Sequence, residues 1–316
     1  MKRITQNYLD NFDMNSVVAV PTTLNVEVTN VCNLRCVMCP QRTMKRERGW
    51  MDVDLYKEVL AEASAMGIRQ VGLHTVGESI LHPRIHEFVA ESKKYGHYTY
   101  LDVNGNNIAP GTHERLLDAG LDSLKFSIDA ADAQTYASIR QGGDFSRVMA
   151  NLRKFDELRK LRGHPMRLYA FYIISALNES GIERFKEVIG PFVDEMEYFI
   201  VLNQGEQVEQ YEQLVSPSLR GLMEKHRRRI VCPNPFRRIN VTWDGWLTAC
   251  CVDFENAMAY GRYERGRLAE LFNNEEARSI RSRMTGLDLE SLPLCRNCTM
   301  VQYDIPALCA ELNELY

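Results

Sequence analysis

Three cysteines stand close together near the start of the chain, at Cys32, Cys36 and Cys39, in the spacing CxxxCxxC. Successive side chains of a strand alternate between two faces, so a loop is better able to turn three thiols toward one point. Such a loop suits an iron–sulfur cluster, whereas zinc normally takes a fourth nearby Cys or His. Three ligands on a four-iron cluster leave one iron open to another molecule.

The segment from Cys32 to Pro40 has the sequence CNLRCVMCP and follows a predicted strand. It closely resembles the signature of the radical S-adenosylmethionine superfamily. The resemblance implies a partial (β/α)6 barrel, a 4Fe–4S cluster on the three cysteines and S-adenosylmethionine at the open iron. It also implies reductive cleavage to methionine and a 5′-deoxyadenosyl radical, which takes hydrogen from a substrate carbon. The implied partner is an external one-electron reductant of the flavodoxin or ferredoxin type.

Further positions resemble the cosubstrate contacts of this family. Gly77 and Glu78 stand at its Gly-Gly-Glu-Pro motif, from which Val76 and Ser79 depart. The resemblance implies contacts from Glu78 to the amino group, from Asn104 to the ribose and from the backbone of Met38 to the adenine. Ligand groups of an αβ barrel gather at the carboxyl ends of its strands. The implied cosubstrate site consists of Met38, Gly77, Glu78, Asn104, Ser127, Asp129 and Arg140, the last as a partner of the carboxylate.

Four later cysteines form a second group: Cys232, Cys250, Cys295 and Cys298. They resemble the SPASM extension in its shortened "twitch" form, which implies a second 4Fe–4S cluster. A structural zinc site is the alternative, because four thiolates also suit zinc. With four cysteine ligands the cluster would relay electrons or stabilise the fold, and with three it could bind substrate directly. Cys309 is expected to be a small hydrophobic core residue.

Cys251 directly follows a predicted cluster ligand. On a strand it would point to the face opposite Cys250, so it is not expected to bind the cluster. A thiol there could return a hydrogen atom to a substrate radical, as related epimerases do. The alternative is a packed core thiol that merely accompanies the ligand.

The elements that position these residues follow from strand-length apolar runs that alternate with helical periodicity. Six alternations predict an α/β fold with a parallel sheet and crossover helices. The predicted strands cover 24–29, 70–74, 98–103, 123–128, 167–174 and 196–201. Residues 1–225 are assigned to the barrel and 226–316 to a small cysteine-rich domain with a β-hairpin at Asp244-Gly245. Helices are also predicted over 211–230 and near 268–284.

Composition narrows the class of protein. The 316 residues are 45% hydrophobic and 25% charged, as in ordinary globular proteins. The net charge of −4 argues against a nucleic-acid binder. No window approaches the ~20 apolar residues of a membrane span, and no long apolar stretch follows residues 1–7 as in a signal peptide. A cytoplasmic protein is therefore expected, in which patterned cysteines indicate metal or catalysis.

The fate of the substrate radical separates the possible functions. Loss of a proton and an electron oxidises a carbinol carbon, and gain of a hydrogen atom gives its epimer. Twitch-type relatives that act on sugars and aminocyclitols do both, which favours a small-molecule substrate. Modification of a ribosomal peptide or protein partner is the alternative, weakened because only about 23 residues precede the first strand. A non-enzymatic zinc or iron–sulfur electron-transfer module is the alternative of another class.

Overall fold

Strands and helices alternate through the first two thirds of the chain in a computed structural model that describes residues 14–316. The expectation about a signal peptide depends on residues 1–13 and lies outside the described residues. Within 14–316, no helix combines the length and the apolar character that crossing a bilayer requires.

Nine strands form one sheet in the described part of the chain. In chain order they are β1 (Thr23–Val26), β2 (Gln70–Gly72), β3 (Tyr98–Val103), β4 (Ser123–Ser127), β5 (Arg167–Ile174), β6 (Glu195–Ile200), β7 (Arg238–Val241), β8 (Trp246–Thr248) and β9 (Ala259–Arg262).

The helices of the first two thirds connect these strands or follow them. They are α1 (Val53–Ala65), α2 (Ile85–Lys94), α3 (Thr112–Asp118), α4 (Ala133–Ile139), α5 (Phe145–Leu161), α6 (Ile182–Ile189), α7 (Tyr211–Leu214) and α8 (Pro217–Lys225). The later helices are α9 (Asn234–Arg237), α10 (Leu268–Phe272), α11 (Glu275–Thr285), α12 (Thr299–Gln302) and α13 (Ile305–Leu315).

Short polar side chains cap the amino-terminal ends of several of these helices. Asp52 accepts from the Asp54 N–H at the start of α1, and Asn274 accepts from the Ala277 N–H at the start of α11. Asp144 accepts from two N–H groups of the first turn of α5. Each cap satisfies donors that have no partner within the helix, which fixes where the helix begins.

The sheet confirms the predicted fold class. Its order is β6-β5-β4-β3-β2-β1-β7-β8-β9, and all neighbours from β6 to β1 are parallel. β7 pairs with β1 in parallel, and only β8 and β9 are antiparallel. The hairpin of the cysteine-rich segment therefore continues the barrel sheet through the β1–β7 pair.

Side chains of the parallel strands divide between two faces. In β3, Thr99, Leu101 and Val103 are buried against the helical layer, while Tyr100 and Asp102 on the other face are half-buried. The period of two of a strand produces this division. The half-buried face looks into the interior of the barrel, where the carboxyl ends of the strands converge.

Two helical predictions are wrong in extent. The helix predicted over 211–230 is broken into α7 and α8, because Ser216 adopts an extended conformation and caps a new helix that starts at Pro217. The periodicity near 268–284 is divided into α10 and α11 by Asn273 and the cap Asn274. Helix α13 lies where the sequence predicted no helix.

Candidate active site

The loop after β1 carries Cys32, Cys36 and Cys39 and ends in a short 3-10 turn at Pro40–Arg42. It is held to the loop after α4, since the Arg35 N–H donates to the Gln141 carbonyl and the Val37 N–H to the Ile139 carbonyl. Within the loop, the Cys39 N–H donates to the Cys36 carbonyl at 3.1 Å. These backbone contacts fix a curled loop rather than an extended one, as the cysteine spacing predicted.

Gly77 allows the loop after β2 to pack against this cysteine loop. Its φ is +85°, and a Cβ at this position would lie 2.3 Å from the Thr29 carbonyl oxygen. Glycine alone adopts this conformation without strain and leaves room for the neighbouring backbone. The next residue, Glu78, donates its N–H to the Val31 carbonyl at 2.8 Å.

The Glu78 carboxylate is buried beside the cysteine loop. Its Oε2 accepts from the Asn104 N–H at 2.8 Å, and its Oε1 has no partner in the described protein. Burial raises the pKa of Glu78 to about 8, against the Asn104 hydrogen bond and the charge of Arg140. A cationic ligand group at Oε1 would satisfy the carboxylate and restore its charge.

Asn104 joins three of the predicted site segments. Its amide nitrogen Nδ2 donates to Asn33 Oδ1 at 3.0 Å and lies 3.9 Å from the Cys32 sulfur. Its Oδ1 accepts from the Asn106 N–H at 2.9 Å. The side chain is thus fixed at the carboxyl end of β3, directly against the cysteine loop.

Asp129 and Arg140 form a buried ion pair behind Cys36. Arg140 Nε donates to Asp129 Oδ2 at 2.7 Å, and Arg140 Nη1 lies 3.6 Å from the Cys36 sulfur. Asp129 has a φ of +63° and accepts from the Ile173 N–H through Oδ1. Much of the Arg140 guanidinium therefore contacts protein groups. Ser127, two residues before Asp129 at the end of β4, is half-buried.

The donor set of the first cysteine group suits an iron–sulfur cluster. Burial raises the pKa of Cys32 and of Cys39 to about 12, and it raises that of Cys36 although Arg140 opposes the shift. Buried thiols with no positive partner of sufficient strength need a metal to become thiolates. Within residues 14–316, no three His, Cys, Asp or Glu side chains are arranged to hold a single metal ion. Three thiols on one curled loop are the donor set that an iron–sulfur cluster takes.

The second cysteine group is spread over the chain after β6: Cys232 precedes β7, Cys250 lies between β8 and β9, and Cys295 and Cys298 precede α12. Cys232, Cys295 and Cys298 are buried and Cys250 is half-buried. The Cys298 N–H donates to the Cys295 carbonyl at 3.2 Å, so the CxxC loop forms a tight turn. Burial raises the pKa of Cys232 to about 12 and also raises that of Cys298. Like the thiols of the first group, these are buried thiols with raised pKa values, which suit binding to a metal.

Cys250 and Cys251 do not point to opposite faces of a strand, and that sequence-based prediction is wrong. Strand β8 ends at Thr248, and both cysteines lie in the turn that follows. Asp253 fixes the turn, since its carboxylate accepts from the N–H groups of Ala257 and Met258. The loss of strand geometry after Thr248 removes the alternation on which the prediction depended.

The two neighbouring thiols contact each other in this turn. A hydrogen bond from Cys250 lowers the pKa of Cys251, burial opposes the shift, and the charge of Arg238 adds to it. This contact needs the proton of Cys250, which a cluster-bound thiolate lacks. Cys251 lines the barrel cavity, and Cys250 is not among the lining residues.

Residues 203–207 connect the three cysteine-bearing segments. Gln204 Nε2 donates to the Met38 carbonyl at 2.9 Å, and Gln207 Nε2 donates to the Val252 carbonyl at 2.8 Å. Asn203 Nδ2 donates to the carbonyl of Asn297 within the CxxC loop at 2.6 Å. The segment after β6 thus holds Met38, the Cys251 turn and the CxxC loop in one arrangement.

A cavity of about 290 Å³ occupies the barrel interior beside these segments. Met38, Gln204 and Cys251 line one part of it, and inward-facing strand residues line the rest. Those strand residues and their neighbours include His74, Thr75, Tyr100, Asp102, Lys125, Tyr169, Phe171, Glu197 and Arg238. The cavity wall therefore combines aromatic surface with several ionisable groups, as small-molecule sites do.

Charged side chains from neighbouring strands pair within this wall. Lys125 Nζ lies 3.0 Å from Asp102 Oδ2 and 3.7 Å from Glu197 Oε2. It also lies 4.6 Å from the centroid of the Phe171 ring. His74 Nδ1 lies 3.3 Å from Asp102 Oδ2. Sequence analysis missed this group, although a lysine and a carboxylate inside parallel strands, which are usually apolar on both faces, were a usable signal.

Comparison with known families gives two matches in the chain. The sequence model of the Radical SAM superfamily matches residues 26–187, slightly more than half of the 316 residues. The model of the SPASM family, an iron–sulfur cluster-binding domain, matches residues 232–299. The two matched ranges contain the first and the second cysteine group respectively.

Individual relatives resemble parts of the chain. A tungsten-containing aldehyde ferredoxin oxidoreductase cofactor-modifying protein of Pyrococcus furiosus is 34% identical over 34% of this chain and 30% of its own length. A PqqA peptide cyclase of Methylorubrum populi is 33% identical over 37% of this chain and 30% of its own length. The chain thus matches about a third of the length of these curated relatives.

A solved structure resembles nearly the whole chain. The crystal structure of BtrN in complex with AdoMet and 2-DOIA superposes with a TM-score of 0.59 and 20% identity, and covers 90% of this chain and 98% of BtrN. At this identity the likeness establishes the fold.

Proposed function

The chain belongs to the radical SAM superfamily and carries a SPASM-type cluster-binding region, and we propose that it acts on a small sugar or aminocyclitol-type substrate held in the barrel cavity. The proposed reaction is epimerisation or dehydrogenation at a carbon that bears a hydroxyl group. The position of Cys251 in the cavity wall is the observation that carries this proposal.

The assigned ligands follow the two cysteine groups. Cys32, Cys36 and Cys39 would hold one 4Fe–4S cluster, and Cys232, Cys250, Cys295 and Cys298 would hold the other. When bound, the first cluster and S-adenosylmethionine supply a 5′-deoxyadenosyl radical that removes a hydrogen atom from the substrate. The unpartnered Oε1 of Glu78 supports a contact with the cosubstrate amino group. Asn104 lies against the cysteine loop, and Met38 is part of that loop.

The cavity supports a small polar substrate. Its volume of about 290 Å³ is at the lower end of the range of small-molecule sites. Carboxylates, a lysine and an arginine from four strands give hydrogen-bond partners for hydroxyl and amino groups. The aromatic rings of Tyr100 and Phe171 offer faces on which the apolar side of a sugar ring packs.

Epimerisation needs a hydrogen-atom donor that faces the substrate. Cys251 would break its S–H bond and form the new C–H bond, which leaves a sulfur-centred radical on the protein. One electron and one proton, from the external reductant and solvent, restore the thiol. Among the five cysteines of the C-terminal segment up to Cys298, Cys251 is the one in the cavity wall, which supports this role.

Dehydrogenation is the second candidate, favoured by the basic and acidic groups of the cavity. Loss of the hydroxyl proton to a basic side chain, and of one electron to the auxiliary cluster as acceptor, would give a ketone. Modification of a peptide is a third candidate, which rests on the name of the PqqA peptide cyclase relative.

Incubation in deuterated water distinguishes these products. The reconstituted, reduced protein is incubated with S-adenosylmethionine and a panel of sugars, aminocyclitols and peptides. The masses of the products are measured by mass spectrometry. Gain of about one mass unit in a sugar indicates epimerisation, and loss of about two indicates oxidation. If 5′-deoxyadenosine increases with a peptide and with no sugar or cyclitol, the small-molecule proposal is wrong.

A further inference from the structure

His74 and Asp102 form an imidazole–carboxylate pair in the cavity wall. Nδ1 of His74 lies 3.3 Å from Oδ2 of Asp102, and the ring lies 5.2 Å from that of Tyr100 with a 52° angle between the planes. A carboxylate beside Nδ1 favours the tautomer with hydrogen on Nδ1, which leaves the lone pair on Nε2. The pair therefore presents a basic nitrogen in a fixed orientation.

The Asp102 carboxylate is itself held by the neighbouring strand. Asp102 of β3 stands opposite Lys125 of β4 in the sheet register, and Lys125 Nζ lies 3.0 Å from Oδ2. The charges of His74 and Lys125 hold the pKa of Asp102 below its ordinary value in spite of burial. Asp102 thus stays ionised and continues to orient the imidazole near neutral pH.

Three polar atoms of the cavity-lining residues are buried without a hydrogen-bond partner among residues 14–316. They are His74 Nε2, Thr75 Oγ1 and Tyr169 Oη. A buried polar atom without a hydrogen bond is unfavourable, so this wall is matched to a ligand with several hydroxyl groups. His74 and Thr75 are adjacent in the chain and both line the cavity.

We infer that Nε2 of His74, oriented by Asp102, accepts the hydrogen bond of the hydroxyl group on the reacting carbon, and that the substrate is therefore a secondary alcohol of a polyol ring. The inference rests on the proposed function and adds a catalytic residue for the substrate class proposed there. Asp102 acts through His74 as a positioning residue.

In the oxidation, the same contact gives the hydroxyl proton an acceptor. After hydrogen abstraction, the O–H bond of the substrate breaks and its proton moves to Nε2, which gives an imidazolium that Asp102 stabilises. The electron pair of that bond stays on oxygen and contributes to the new C=O double bond. The remaining unpaired electron leaves to a one-electron acceptor of the iron–sulfur class. In epimerisation the hydroxyl keeps its proton, and His74 only holds it.

The state of His74 agrees with this role. Burial lowers the pKa of His74 below its ordinary value, so the ring is neutral near pH 7 and Nε2 can accept. The groups that face it are Asp102, Tyr100, Lys125 and Arg238. Of these, Asp102 raises the pKa, and Lys125 and Arg238 lower it.

Binding of D-glucosamine and myo-inositol, measured by calorimetry on the anaerobically reconstituted protein, tests the inference without turnover. The protein is expected to bind at least one of the two polyols. His74→Ala should weaken this binding by about tenfold or more, equivalent to about 1.4 kcal/mol. His74→Gln, whose amide oxygen can accept in the same region, should bind within about threefold of the unchanged protein but should not take a proton.

His86→Ala is the matched control, because His86 also has a buried ring nitrogen without a partner but lies on α2 outside the cavity. It should bind polyol as the unchanged protein does. Equal binding by His74→Ala, or failure of both polyols to bind the unchanged protein, overturns the inference. Formation of 5′-deoxyadenosine on reduction, with and without polyol, is measured in parallel, and its absence from protein with its full iron content would refute the proposed function independently of polyol binding.

Discussion

Glu78 accepts the backbone N–H of Asn104 at 2.8 Å, which ties the loop after β2 to the end of β3. The Asn104 side chain continues the connection to Asn33 in the cysteine loop. The other oxygen of the Glu78 carboxylate, beside that loop, has no hydrogen-bond partner in the described part of the chain. A ligand with a positive group and an iron-binding end would therefore find both partners in adjacent loops.

Replacement of Glu78 by Gln should weaken S-adenosylmethionine binding by about tenfold or more, since a charge-assisted contact is exchanged for a neutral one. The amide can still accept from the Asn104 N–H, so folding should be preserved. Equilibrium binding to the reconstituted protein measures the effect. Glu183→Gln, an exposed carboxylate on α6, is the control, and equal affinity of the two variants would remove Glu78 from the site.

Gly77→Ala should lower stability by more than about 2 kcal/mol and reduce iron incorporation, because its Cβ meets the Thr29 carbonyl oxygen in a strained conformation. Gly96→Ala is the matched control: its φ is also positive, at +72°, but nothing lies within 4 Å of the added Cβ. Chemical denaturation should therefore show a clearly smaller loss for Gly96→Ala. Similar losses would mean that the loop packing at Gly77 is unimportant.

Cys251→Ala should keep the iron content and the substrate-dependent cleavage of S-adenosylmethionine, while deuterium incorporation into the substrate should be lost. Cys250→Ala should instead reduce the iron content, because Cys250 is the proposed ligand. Cys309, which is buried in α13 and is not among the cavity-lining residues, gives the control variant Cys309→Ala with normal product. Iron analysis and product mass measure these outcomes. Normal deuterium incorporation by Cys251→Ala would exclude it as the donor.

The pH dependence of kcat/KM should have an acid limb set by His74. Because its pKa is lowered from 6.5, the ring is neutral at pH 7, and activity should fall only as the pH drops through that lowered value. Asp102→Asn removes a charge that raises this pKa, so the limb should move to lower pH. Lys125→Met removes a charge that lowers it, so the limb should move to higher pH. Shifts in the same direction, or none, would contradict the assignment.

Local patterns were sufficient to predict much of the barrel from the sequence. The runs at 98–103, 145–161 and 167–174 match β3, α5 and β5. Each is a continuous periodic segment with polar or glycine boundaries, so local preferences and the fold agree there. The cysteine spacing likewise predicted a loop, which the backbone hydrogen bonds of Cys36 and Cys39 support.

Other features depend on partners that are distant in the chain. The pairing of β7 with β1 joins residues more than two hundred positions apart, as in Thr23 opposite Arg238. Nothing local indicates this pairing, so the sequence predicts the hairpin only as part of a separate small domain. The charged cavity wall was not predicted for the same reason. Lys125 forms its ion pairs with Asp102 on β3 and Glu197 on β6, which are distant in the chain. The position of Cys251 depends on where β8 ends, and strand ends are the least predictable boundaries.

Formation of 5′-deoxyadenosine on reduction tests the central claim most directly. The reconstituted protein is mixed with S-adenosylmethionine and dithionite under anaerobic conditions, and nucleosides are separated by chromatography. The unchanged protein should form 5′-deoxyadenosine, and Cys36→Ala should form none while it retains the iron of the second cysteine group. If the protein with its full iron content forms no 5′-deoxyadenosine, or if Cys36→Ala forms as much, the proposed radical chemistry is contradicted.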